Sequence, residues 1–335
     1  MPNIAINGFG RIGRNVLKAG AKLSGFNVVA INDLTDTKTL AHLFRHDTAY
    51  GTYAGEVKFD EHHLMIDGKT ILVTAEKDPT ALPWGKLDID VVLECTGRFT
   101  NEEGASAHIK AGAKRVIISA PAKGGNVPTH VMGLNQKDAG KDAPIINNAS
   151  CTTNCIAPVA AILDEAIGIQ KAMMTTVHSY TATQVVQDAP AKDLREARAA
   201  AANIVPTTTG AAIATAQVVP TLEGKFDGLS VRVPTPVVSL ADFTLVMKRD
   251  VTVEEVNKLF VSAAKTARWK GIVNVTDEPL VSSDFIGDPS SCIVDLGLTR
   301  VVSGDLLKVV AWYDNEWGYS NRLAEMALEV AKSVA

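Results

Sequence analysis

Residues 4–13 read Ile-Ala-Ile-Asn-Gly-Phe-Gly-Arg-Ile-Gly, a short apolar run followed at once by glycines in the spacing G-x-G-x-x-G. The run Ile4–Asn7 predicts a buried strand, and the glycines predict a turn into a helix. In such a turn Gly8 permits the tight bend, Gly10 lets a pyrophosphate approach the backbone, and Gly13 lets helix and strand pack closely. The stretch therefore predicts a dinucleotide site whose phosphates lie on a helix N-terminus.

A carboxylate stands where such a unit binds ribose. A second predicted strand ends in Ile31-Asn32-Asp33, and Asp33 follows Gly13 by 20 residues. That interval is typical of the acidic residue that bonds the ribose 2′-hydroxyl. A carboxylate there repels a 2′-phosphate, so NAD is favoured over NADP as the cofactor. The alternative is that Asp33 only caps or solvates the end of a strand.

The first half of the chain repeats this alternation of strands and helices. Near-continuous apolar runs, typical of strands buried on both faces, are Ile4–Asn7, Val28–Asn32, Ile71–Thr74, Val91–Cys95 and Val116–Ser119. Between the last two, Asn101 is a good N-cap for a helix that Gly112 closes. The pattern predicts an α/β fold with a doubly wound parallel sheet of the Rossmann type. Because ligands bind at the carboxyl ends of such strands, Thr96 and Ser119 are candidate cofactor neighbours.

From residue 151 onward the pattern changes to longer alternating strands with helices segregated from them. The predicted elements are strands at Leu229–Val233, Val237–Lys248, Cys292–Leu298 and Leu306–Tyr313, and helices from Cys151 or Thr152, at Thr252–Lys265 and at Ser320–Val334. They predict an α+β domain with a mostly antiparallel sheet. Residues 179–203 have a weak strand signal and are predicted to form a long functional loop.

Length, charge and cysteine usage restrict the class of protein. The chain has 335 residues, enough for two domains, and a net charge of −4, which gives no reason to expect nucleic acid or a membrane surface as the main partner. Because a strand pattern follows Met1 directly, we expect no signal peptide, and the sequence contains no apolar run of membrane-spanning length. Its four cysteines are sparse and scattered, so we expect free thiols and a cytoplasmic protein.

A cysteine and a histidine in polar surroundings predict nucleophilic catalysis. Cys151 lies in Ser-Cys-Thr-Thr-Asn at a predicted helix start, and His178 follows a predicted strand. A helix N-terminus or a nearby histidine lowers the pKa of a thiol, so we expect an activated nucleophile. Beside a nicotinamide cofactor, this pair indicates oxidation of an aldehyde through a thioester. The alternative is an inert thiol and a core histidine; Cys155 is predicted to be structural, and no metal site is expected.

Hydroxyl and basic residues in the second half predict anion sites. Thr209 and Gly210 precede a helical pattern, and helix N-termini of this kind bind phosphate. Arg232 interrupts an apolar strand, where a charge is rarely buried without a partner, so an anionic ligand is predicted. Thr181 closely follows the histidine. For Arg195, in a charged stretch, a solvated or interface position is an equally good interpretation.

Sequence strings spread over essentially the whole chain resemble those of the phosphorylating glyceraldehyde-3-phosphate dehydrogenase family. The strings are Asn7–Arg14, Ile31–Asp33, Ser119–Pro121, Ala149–Cys155, Thr176–Thr181, Thr208–Ala212, Arg232–Thr235 and Trp312–Ser320. The resemblance implies glycolytic oxidation and phosphorylation of D-glyceraldehyde 3-phosphate to 1,3-bisphosphoglycerate with NAD reduction. It also implies a homotetramer, with an NAD-binding domain at 1–150 and 315–335 and a catalytic domain at 151–314.

Residue by residue, the resemblance assigns Cys151 as the nucleophile and His178 as its base. With the glycine pattern and the strand ends, it gives the expected cofactor contacts as Gly8, Gly10, Arg11, Ile12, Gly13, Asp33, Lys77, Thr96, Ser119 and Asn315. At position 77 family members often carry Arg instead of Lys. The implied substrate and phosphate contacts are Ser150, Cys151, Thr152, Thr181, Arg195, Thr209, Gly210 and Arg232.

Two other functions are compatible with parts of the sequence. An erythrose-4-phosphate dehydrogenase would hydrolyse the thioester instead of transferring it to phosphate, but the Thr208-Thr209-Gly210-Ala211 string favours a phosphate acceptor. A protein that only binds NAD, or RNA through the dinucleotide groove, would not need Cys151, His178 and Arg232 together. The low aromatic content of 5% and the slight negative charge also disfavour RNA binding.

Overall fold

The apolar run before the glycines is a central strand of an eight-stranded sheet in the computed structural model, which describes residues 1–141 and 143–334. The first ten strands are β1 (Asn3–Asn7), β2 (Asn27–Asn32), β3 (His46–Asp47), β4 (Gly51–Thr52), β5 (Val57–Phe59), β6 (His63–Ile66), β7 (Lys69–Thr74), β8 (Val91–Glu94), β9 (Arg115–Ile118) and β10 (Ile145–Asn147). The order in the sheet is β10-β9-β8-β1-β2-β7-β6-β5, while β3 and β4 form a separate hairpin.

This sheet is parallel from β10 to β7, which confirms the doubly wound fold. Its far edge differs from the prediction, because β5 and β6 continue it in antiparallel order. Between β6 and β7 the chain turns at Asp67 and Gly68, whose φ angles are 48° and 78°. An Asp-Gly pair with positive φ at both positions suits a two-residue hairpin, and sequence periodicity missed it because each strand is short.

Three helices connect these strands: α1 (Arg11–Gly20), α2 (Thr37–Arg45) and α3 (Glu102–Lys110). The predicted cap of α3 is present, since Oδ1 of Asn101 accepts a hydrogen bond from the backbone N–H of Gly104 at 2.8 Å. Gly112 follows the helix with a φ of 101°, a conformation that a side chain disfavours. Buried apolar residues of β1, β8 and β9 pack beneath α3 around Trp84 and Ala105, which are fully buried.

The second sheet also has eight strands and is mostly antiparallel, as predicted. They are β11 (Ile169–Ser179), β12 (Val205–Thr208), β13 (Phe226–Val233), β14 (Ser239–Met247), β15 (Val273–Thr276), β16 (Cys292–Asp295), β17 (Arg300–Val302) and β18 (Leu306–Tyr313). Their order is β12-β13-β11-β14-β18-β16-β15, with β17 paired to β18. The pairs β11–β13 and β15–β16 are parallel. The first of these brings His178 beside Arg232.

The helices of the second half are α4 (Cys151–Ala166), α5 (Ala211–Val218), α6 (Val253–Ala263) and α7 (Trp317–Ala331). Several predicted boundaries were wrong by one to three residues, and two of them have a clear local cause. The strand expected at Cys292–Leu298 ends at Asp295, whose carboxylate accepts from Gly297 N–H and starts a short 3₁₀ turn. The last helix begins at Trp317 instead of Ser320, because the carboxylate of Asp314 accepts from the backbone N–H of Trp317 at 2.8 Å.

The chain divides into two units, one made of Met1–Ala149 with the segment from Ser320 and the other of Ser150–Tyr319. The core of the first unit lies on both faces of its parallel strands, where β1 and β8 are almost entirely buried. In the second unit the sheet is covered on one face by α4, a helix buried along most of its length. None of the helices in the described part of the chain is long and apolar enough to cross a membrane.

Candidate functional site

A cleft of about 470 Å³ opens at the carboxyl ends of four neighbouring parallel strands of the first unit. Its walls come from the loops after β1, β2, β7 and β8, and the residues are Asn7, Gly8, Gly10, Asn32, Asp33, Leu34, Glu76, Lys77, Cys95, Thr96, Arg98 and Phe99. Strand β1 borders β2 on one side and β8 on the other, so the order of the sheet reverses at this point. Open α/β sheets bind ligands at such a reversal.

The three glycines of the opening motif shape this cleft in different ways. Gly8 has a φ of 91°, and a Cβ there would lie 2.7 Å from the backbone nitrogen of Thr96. A Cβ on Gly13 would lie 2.2 Å from the carbonyl oxygen of Gly8, so the helix could not approach the strand. At Gly10 a Cβ would meet no atom within 4 Å, which leaves open space before the N-terminus of α1. This cradle fits the pyrophosphate of a dinucleotide.

Asp33 supports the glycine turn and also lines the cleft. Its Oδ2 accepts a hydrogen bond from the backbone N–H of Phe9 at 2.8 Å, and its Oδ1 accepts from Thr35 at 3.0 Å. Both oxygens thus accept backbone N–H groups, as the capping interpretation expects, and each keeps a lone pair that a ligand hydroxyl can reach. Arg11 is oriented differently, because its Nη1 lies 2.7 Å from Oδ2 of Asp47. The Arg11 groups that a ligand at the helix start can reach are therefore those of the backbone.

Not every predicted cofactor residue lies on the cleft wall. Those on it are Gly8, Gly10, Asp33, Lys77 and Thr96, whereas its lining does not include Arg11, Ile12, Gly13 and Ser119. The sequence prediction missed Leu34, Glu76, Arg98 and Phe99, which carry no recognisable motif. Cys95 is on the wall, but burial raises the pKa of its thiol to about 12, so it remains protonated.

In the second unit the structure brings Cys151 and His178 together. Cys151 begins α4 directly after the N-cap Ser150, whose Oγ accepts from the backbone N–H of Thr153 at 3.0 Å. His178 stands near the end of β11 and is 3% exposed. The Sγ of Cys151 lies 3.5 Å from Nε2 of His178. A thiol and an imidazole at this separation can exchange a proton.

The protonation of this pair differs from the expectation. Burial, and secondly the charge of Arg232, lower the pKa of His178 to about 3. Burial raises the pKa of Cys151, and the charge of Arg232 only partly opposes this. Desolvation thus outweighs the helix terminus that led us to expect a lowered thiol pKa. Without substrate, the pair therefore consists of a neutral thiol and a neutral imidazole.

Arg232 and the backbone of Ser179 both contact the other ring nitrogen of His178. Nδ1 lies 2.7 Å from the carbonyl oxygen of Ser179 and 2.7 Å from Nη1 of Arg232. A single nitrogen cannot donate to the first and accept from the second. We assign the proton to Nδ1, because Ser179 offers only a lone pair there, whereas Arg232 can instead donate to the same carbonyl oxygen at 3.2 Å. Nε2 is then free to act as the base.

Arg232 carries a charge that the protein leaves incompletely satisfied. Its Nε is buried and has no hydrogen-bond partner among the described residues. No carboxylate in the described part of the chain forms an ion pair with its guanidinium. A partly buried cation whose Nε has no partner favours an anionic ligand, since an unpaired charge held away from water is costly.

Tyr313 is a residue that the sequence prediction did not assign. Its hydroxyl lies 2.9 Å from Oγ1 of Thr152 and 2.8 Å from Oγ1 of Thr176, and thereby joins the start of α4 to β11. Its ring stands edge-on to that of His178, with centroids 6.0 Å apart. The sequence shows only that Tyr313 is a polar aromatic residue at the end of an apolar strand. The antiparallel pairing of β14 and β18 is what places its hydroxyl near Thr152 and Thr176.

Asn315 is held in one orientation by two serines. Its Oδ1 accepts hydrogen bonds from Oγ of Ser179 at 2.9 Å and from Oγ of Ser239 at 3.0 Å. None of the described residues accepts a hydrogen bond from its Nδ2, so this NH₂ group is the one available to a ligand. Ser179 thus links Asn315 to the residue next to the histidine.

The remaining predicted anion contacts are not bonded directly to the Cys151–His178 pair. Gly210 stands at the N-terminus of α5, where Oγ1 of Thr209 accepts from the N–H of Ala211 at 3.2 Å. Thr181 is held by Gln184, which accepts its backbone N–H at 2.9 Å. Arg195 is exposed, so its solvated position agrees with the interpretation that the sequence left open.

Metal ligation has no support in the described residues. No group of three or more His, Cys, Asp or Glu side chains within 1–141 and 143–334 is arranged to hold a metal ion. Cys155 is fully buried, and burial raises the pKa of its thiol well above the usual value, so it is an inert packing residue. The four cysteines, Cys95, Cys151, Cys155 and Cys292, form no disulfide bond.

Comparison with known proteins matches the whole chain to one family. The family model for the glyceraldehyde 3-phosphate dehydrogenase NAD binding domain matches residues 2–102, and that for the C-terminal domain matches residues 150–315. A glyceraldehyde-3-phosphate dehydrogenase of Zymomonas mobilis is 54% identical over 333 residues, covering 99% of both chains. One from Geobacillus stearothermophilus is 52% identical over 98% of both chains. The chloroplastic GAPB form of Arabidopsis thaliana is 53% identical over 98% of this chain and 74% of its own.

Proposed function

Since the chain belongs to the glyceraldehyde-3-phosphate dehydrogenase family, we propose that Cys151 and His178 carry out this family's reaction in it. The enzyme is an NAD-dependent oxidoreductase of glycolysis that acts on D-glyceraldehyde 3-phosphate. We propose inorganic phosphate as the second substrate and 1,3-bisphosphoglycerate as the product. The observation that carries the assignment is the 3.5 Å separation between Sγ of Cys151 and Nε2 of His178.

The first step forms a bond between sulfur and the aldehyde carbon. His178 takes the thiol proton at Nε2 while the sulfur of Cys151 attacks, and the carbonyl electrons move to the aldehyde oxygen. The backbone N–H of Cys151 at the start of α4 and the protonated ring of His178 stabilise that oxyanion. The ring then returns its proton to the oxygen, which leaves a hemithioacetal on Cys151 and a neutral base.

The second step oxidises the former aldehyde carbon, and the third transfers the resulting acyl group from Cys151 to phosphate. Bound NAD supplies the hydride acceptor. Nε2 of His178 removes the hydroxyl proton as the hydride departs, so that Cys151 carries a thioester. A phosphate oxygen attacks the thioester carbon, the C–S bond breaks, and the thiolate of Cys151 leaves and regains a proton from His178. The energy of oxidation is thereby kept in the acyl phosphate.

Two phosphate positions around one carbon explain the number of anion-binding residues. We assign Thr181 and Arg232 to the C3 phosphate of the substrate, a role that the unsatisfied Nε of Arg232 supports. For inorganic phosphate we assign Ser150, Thr152, Thr209 and Gly210, of which Gly210 offers the N-terminus of α5. Arg195 assists these sites electrostatically. Holding both reactants converts the phosphorolysis into an effectively intramolecular step.

We assign NAD binding to residues 1–150 and 315–335 and catalysis to residues 151–314. The cofactor contacts are Gly8, Gly10, Arg11, Ile12, Gly13, Asp33, Lys77, Thr96, Ser119 and Asn315. Arg11 and Ile12 contribute their backbone at the start of α1, since the Arg11 guanidinium is bonded to Asp47. Lys77 stands where family members often carry Arg; it lines the cleft, and we assign its contact to the backbone, which the change of side chain leaves in place.

We further propose that the enzyme is a homotetramer. On β11 and β13 three of the side chains that point away from α4 are apolar and open to solvent: Met173 is 60% exposed, Val177 37% and Leu229 43%. A sheet face of this kind is normally covered in a stable protein. A second apolar group, Val186 and Leu194, is 87% and 81% exposed in the long loop after β11. Two separate apolar surfaces suit an assembly with two kinds of interface.

The assembly is tested by light scattering after size-exclusion chromatography. Wild type should elute with four times the mass of the chain. Met173→Glu combined with Leu229→Glu should give a smaller species, because two charges would be buried in the interface. Val281→Glu is the matched control, since Val281 is equally exposed at 60% but lies in a loop outside this face. A monomeric wild type, or a double variant that stays tetrameric, would contradict the proposed interface.

We propose a cytoplasmic location on the basis of the free thiols, which reducing compartments maintain. Relatives include a chloroplastic form, so fractionation of the source cells is the direct check.

The proposed reaction is tested by NADH formation from glyceraldehyde 3-phosphate and NAD with and without inorganic phosphate. Sustained turnover only with phosphate supports phosphorolysis. Equal turnover without phosphate would mean that water resolves the thioester, and Cys151→Ser should be inactive in both cases.

A further inference from the structure

Beneath the cleft of the first unit lies a buried ionisable pair that the mechanism above does not use. The side chains of Glu94 and His108 are both 0% exposed, and Nε2 of His108 lies 3.1 Å from Oε2 of Glu94. A carboxylate this deep is stable only when hydrogen-bond donors replace its lost water. The groups that donate hydrogen bonds to Glu94 therefore indicate what the buried pair does.

The indole of Trp84 determines which nitrogen of His108 carries the proton. Nε1 of Trp84 lies 3.0 Å from Nδ1 of His108, and an indole N–H can only donate. Nδ1 must therefore accept, so the ring proton is on Nε2 and points at Glu94. A second proton on Nδ1 would break the bond to Trp84. His108 thus acts as a neutral donor with a fixed tautomer.

The other donors to Glu94 belong to the wall of the cleft. Nδ2 of Asn7 lies 2.6 Å from Oε2 of Glu94, and the backbone N–H of Thr96 donates to Oε1 at 2.8 Å. The hydroxyl of Thr96 donates to the same oxygen. Asn7 and Thr96 both line the cleft, whereas Glu94 and His108 do not. Glu94 therefore binds the cleft wall from behind.

The same network reaches the two remaining loops of the cleft. Oδ1 of Asn7 accepts from Nδ2 of Asn32 at 2.7 Å. Asn32 in turn accepts the backbone N–H of Glu76 at 2.8 Å and donates to the carbonyl oxygen of Glu76 at 3.0 Å. One connected set of hydrogen bonds thus joins the loops after β1, β2, β7 and β8. Gly8 completes it by close packing, since its missing Cβ would fall 2.7 Å from the nitrogen of Thr96.

We propose that Glu94 and His108 are positioning residues for the cofactor: the buried carboxylate, fixed by the neutral His108, holds Asn7 and Thr96 where NAD binds. This inference rests on the assignment of the cleft as the NAD site. It predicts that residues outside the cleft wall determine the affinity for NAD without taking part in the chemistry at Cys151. The loops would otherwise have to be ordered at the expense of binding free energy.

Two substitutions at position 108 test separately the hydrogen bond of His108 to Glu94 and its hydrogen bond to Trp84. His108→Gln can place an amide N–H near the position of Nε2 and so still donate to Glu94, while it loses the acceptor for Trp84. His108→Asn can place an acceptor near Nδ1 for Trp84, but it is too short to reach Glu94. Glu94→Gln keeps the shape of the carboxylate and replaces one acceptor oxygen with a donor. His130→Asn is the control, a buried histidine of the same unit that bonds to Asn135 outside the network.

The measurements are the Kd for NAD by calorimetry, the thermal midpoint, and kcat and KM for the aldehyde at saturating NAD. We expect His108→Asn and Glu94→Gln to raise the Kd for NAD roughly 10-fold or more, the effect of losing a hydrogen bond to a charged group. His108→Gln should remain within about threefold of wild type. In all three, kcat and the aldehyde KM should be unchanged, and His130→Asn should bind NAD normally.

Two results would overturn the proposal. One is a lowered thermal midpoint with an unchanged Kd for NAD in His108→Asn and Glu94→Gln, which would make the pair a packing feature only. The other is an equal loss of affinity in His108→Gln and His108→Asn, which would remove the contact to Glu94 as the cause. If His108→Asn fails to fold, the Kd for NAD and the thermal midpoint of Glu94→Gln still distinguish a positioning role from a packing role. Wild type that binds no NAD would instead refute the proposed function.

Discussion

Nη1 of Arg232 lies 2.7 Å from Nδ1 of His178, a contact that follows from the parallel pairing of β11 and β13, in which the two residues are register partners. The proposed base therefore lies beside the permanent positive charge of Arg232. Burial and this charge together hold the pKa of His178 at about 3. An anion bound to Arg232 would neutralise the charge and raise that pKa toward the value at which a general base is most effective. Binding of an anionic substrate at Arg232 would thus make His178 a more effective base.

The depressed pKa of His178 predicts a stability that falls in acid. The unfolded chain takes up a proton at the ordinary pKa of 6.5, whereas the folded chain does so only near 3. Stability from this group is therefore complete above pH 6.5 and is lost as the pH falls toward 3, by at most about 1.4 kcal/mol per pH unit. His178→Gln should reduce the slope of the thermal midpoint against pH. His130, whose pKa burial also lowers, contributes in the same direction, so the comparison is made in a His130→Asn background. An unchanged slope would contradict the assignment.

Replacing the base should affect the rate and leave cofactor binding intact. We expect His178→Asn to lower kcat by ~100-fold or more, since a positioned general base contributes on that scale. Stopped-flow measurement of NADH formation and calorimetry with NAD separate the two effects. His42→Asn, at an exposed histidine of α2, serves as the control. A near-wild-type rate in His178→Asn would exclude its role as the base.

The charge of Asp33 should determine the choice between NAD and NADP. Asp33→Asn keeps an acceptor for the N–H of Phe9, so the glycine turn is preserved, while the charge that repels a 2′-phosphate is removed. We expect kcat/KM for NAD to fall and that for NADP to rise, so that the preference for NAD narrows by roughly 10-fold or more. Steady-state kinetics with both cofactors measures this. A preference equal to that of wild type would show that Asp33 only caps the turn.

The hydroxyl of Tyr313 should stabilise the geometry of the nucleophile. Tyr313→Phe removes the bridge between Thr152 and Thr176 and leaves two buried hydroxyl groups without it. We expect a loss of about 1–3 kcal/mol in unfolding free energy and a reduced kcat with an unchanged Kd for NAD. Tyr53→Phe, which loses a surface-accessible bond to Asp67, is the control. A stability loss with an unaltered kcat would limit Tyr313 to packing.

Local sequence signals were sufficient to predict the elements that begin with a characteristic turn or cap. The turn at Gly8–Gly13, the cap at Asn101 and the helix that starts at Cys151 each depend on residues within one turn of each other, and the structure has all three. The antiparallel edge of β5 and β6 was missed because strands of three and four residues carry too little periodicity. The pKa of Cys151 was misjudged for a different reason. Local sequence shows the helix terminus, but only packing shows how strongly the thiol is desolvated.

By itself the sequence determined the doubly wound sheet and the glycine turn, and it predicted the chemical types of the proposed nucleophile and base, because these depend on spacing along the chain. Only the tertiary structure decided the pairings between distant residues. His178 meets Arg232, Tyr313 joins Thr152 to Thr176, and Glu94 holds Asn7, across separations of 54 to 161 residues. Such contacts depend on strand register and on the cost of burying polar groups, and both are properties of the folded assembly of strands and helices.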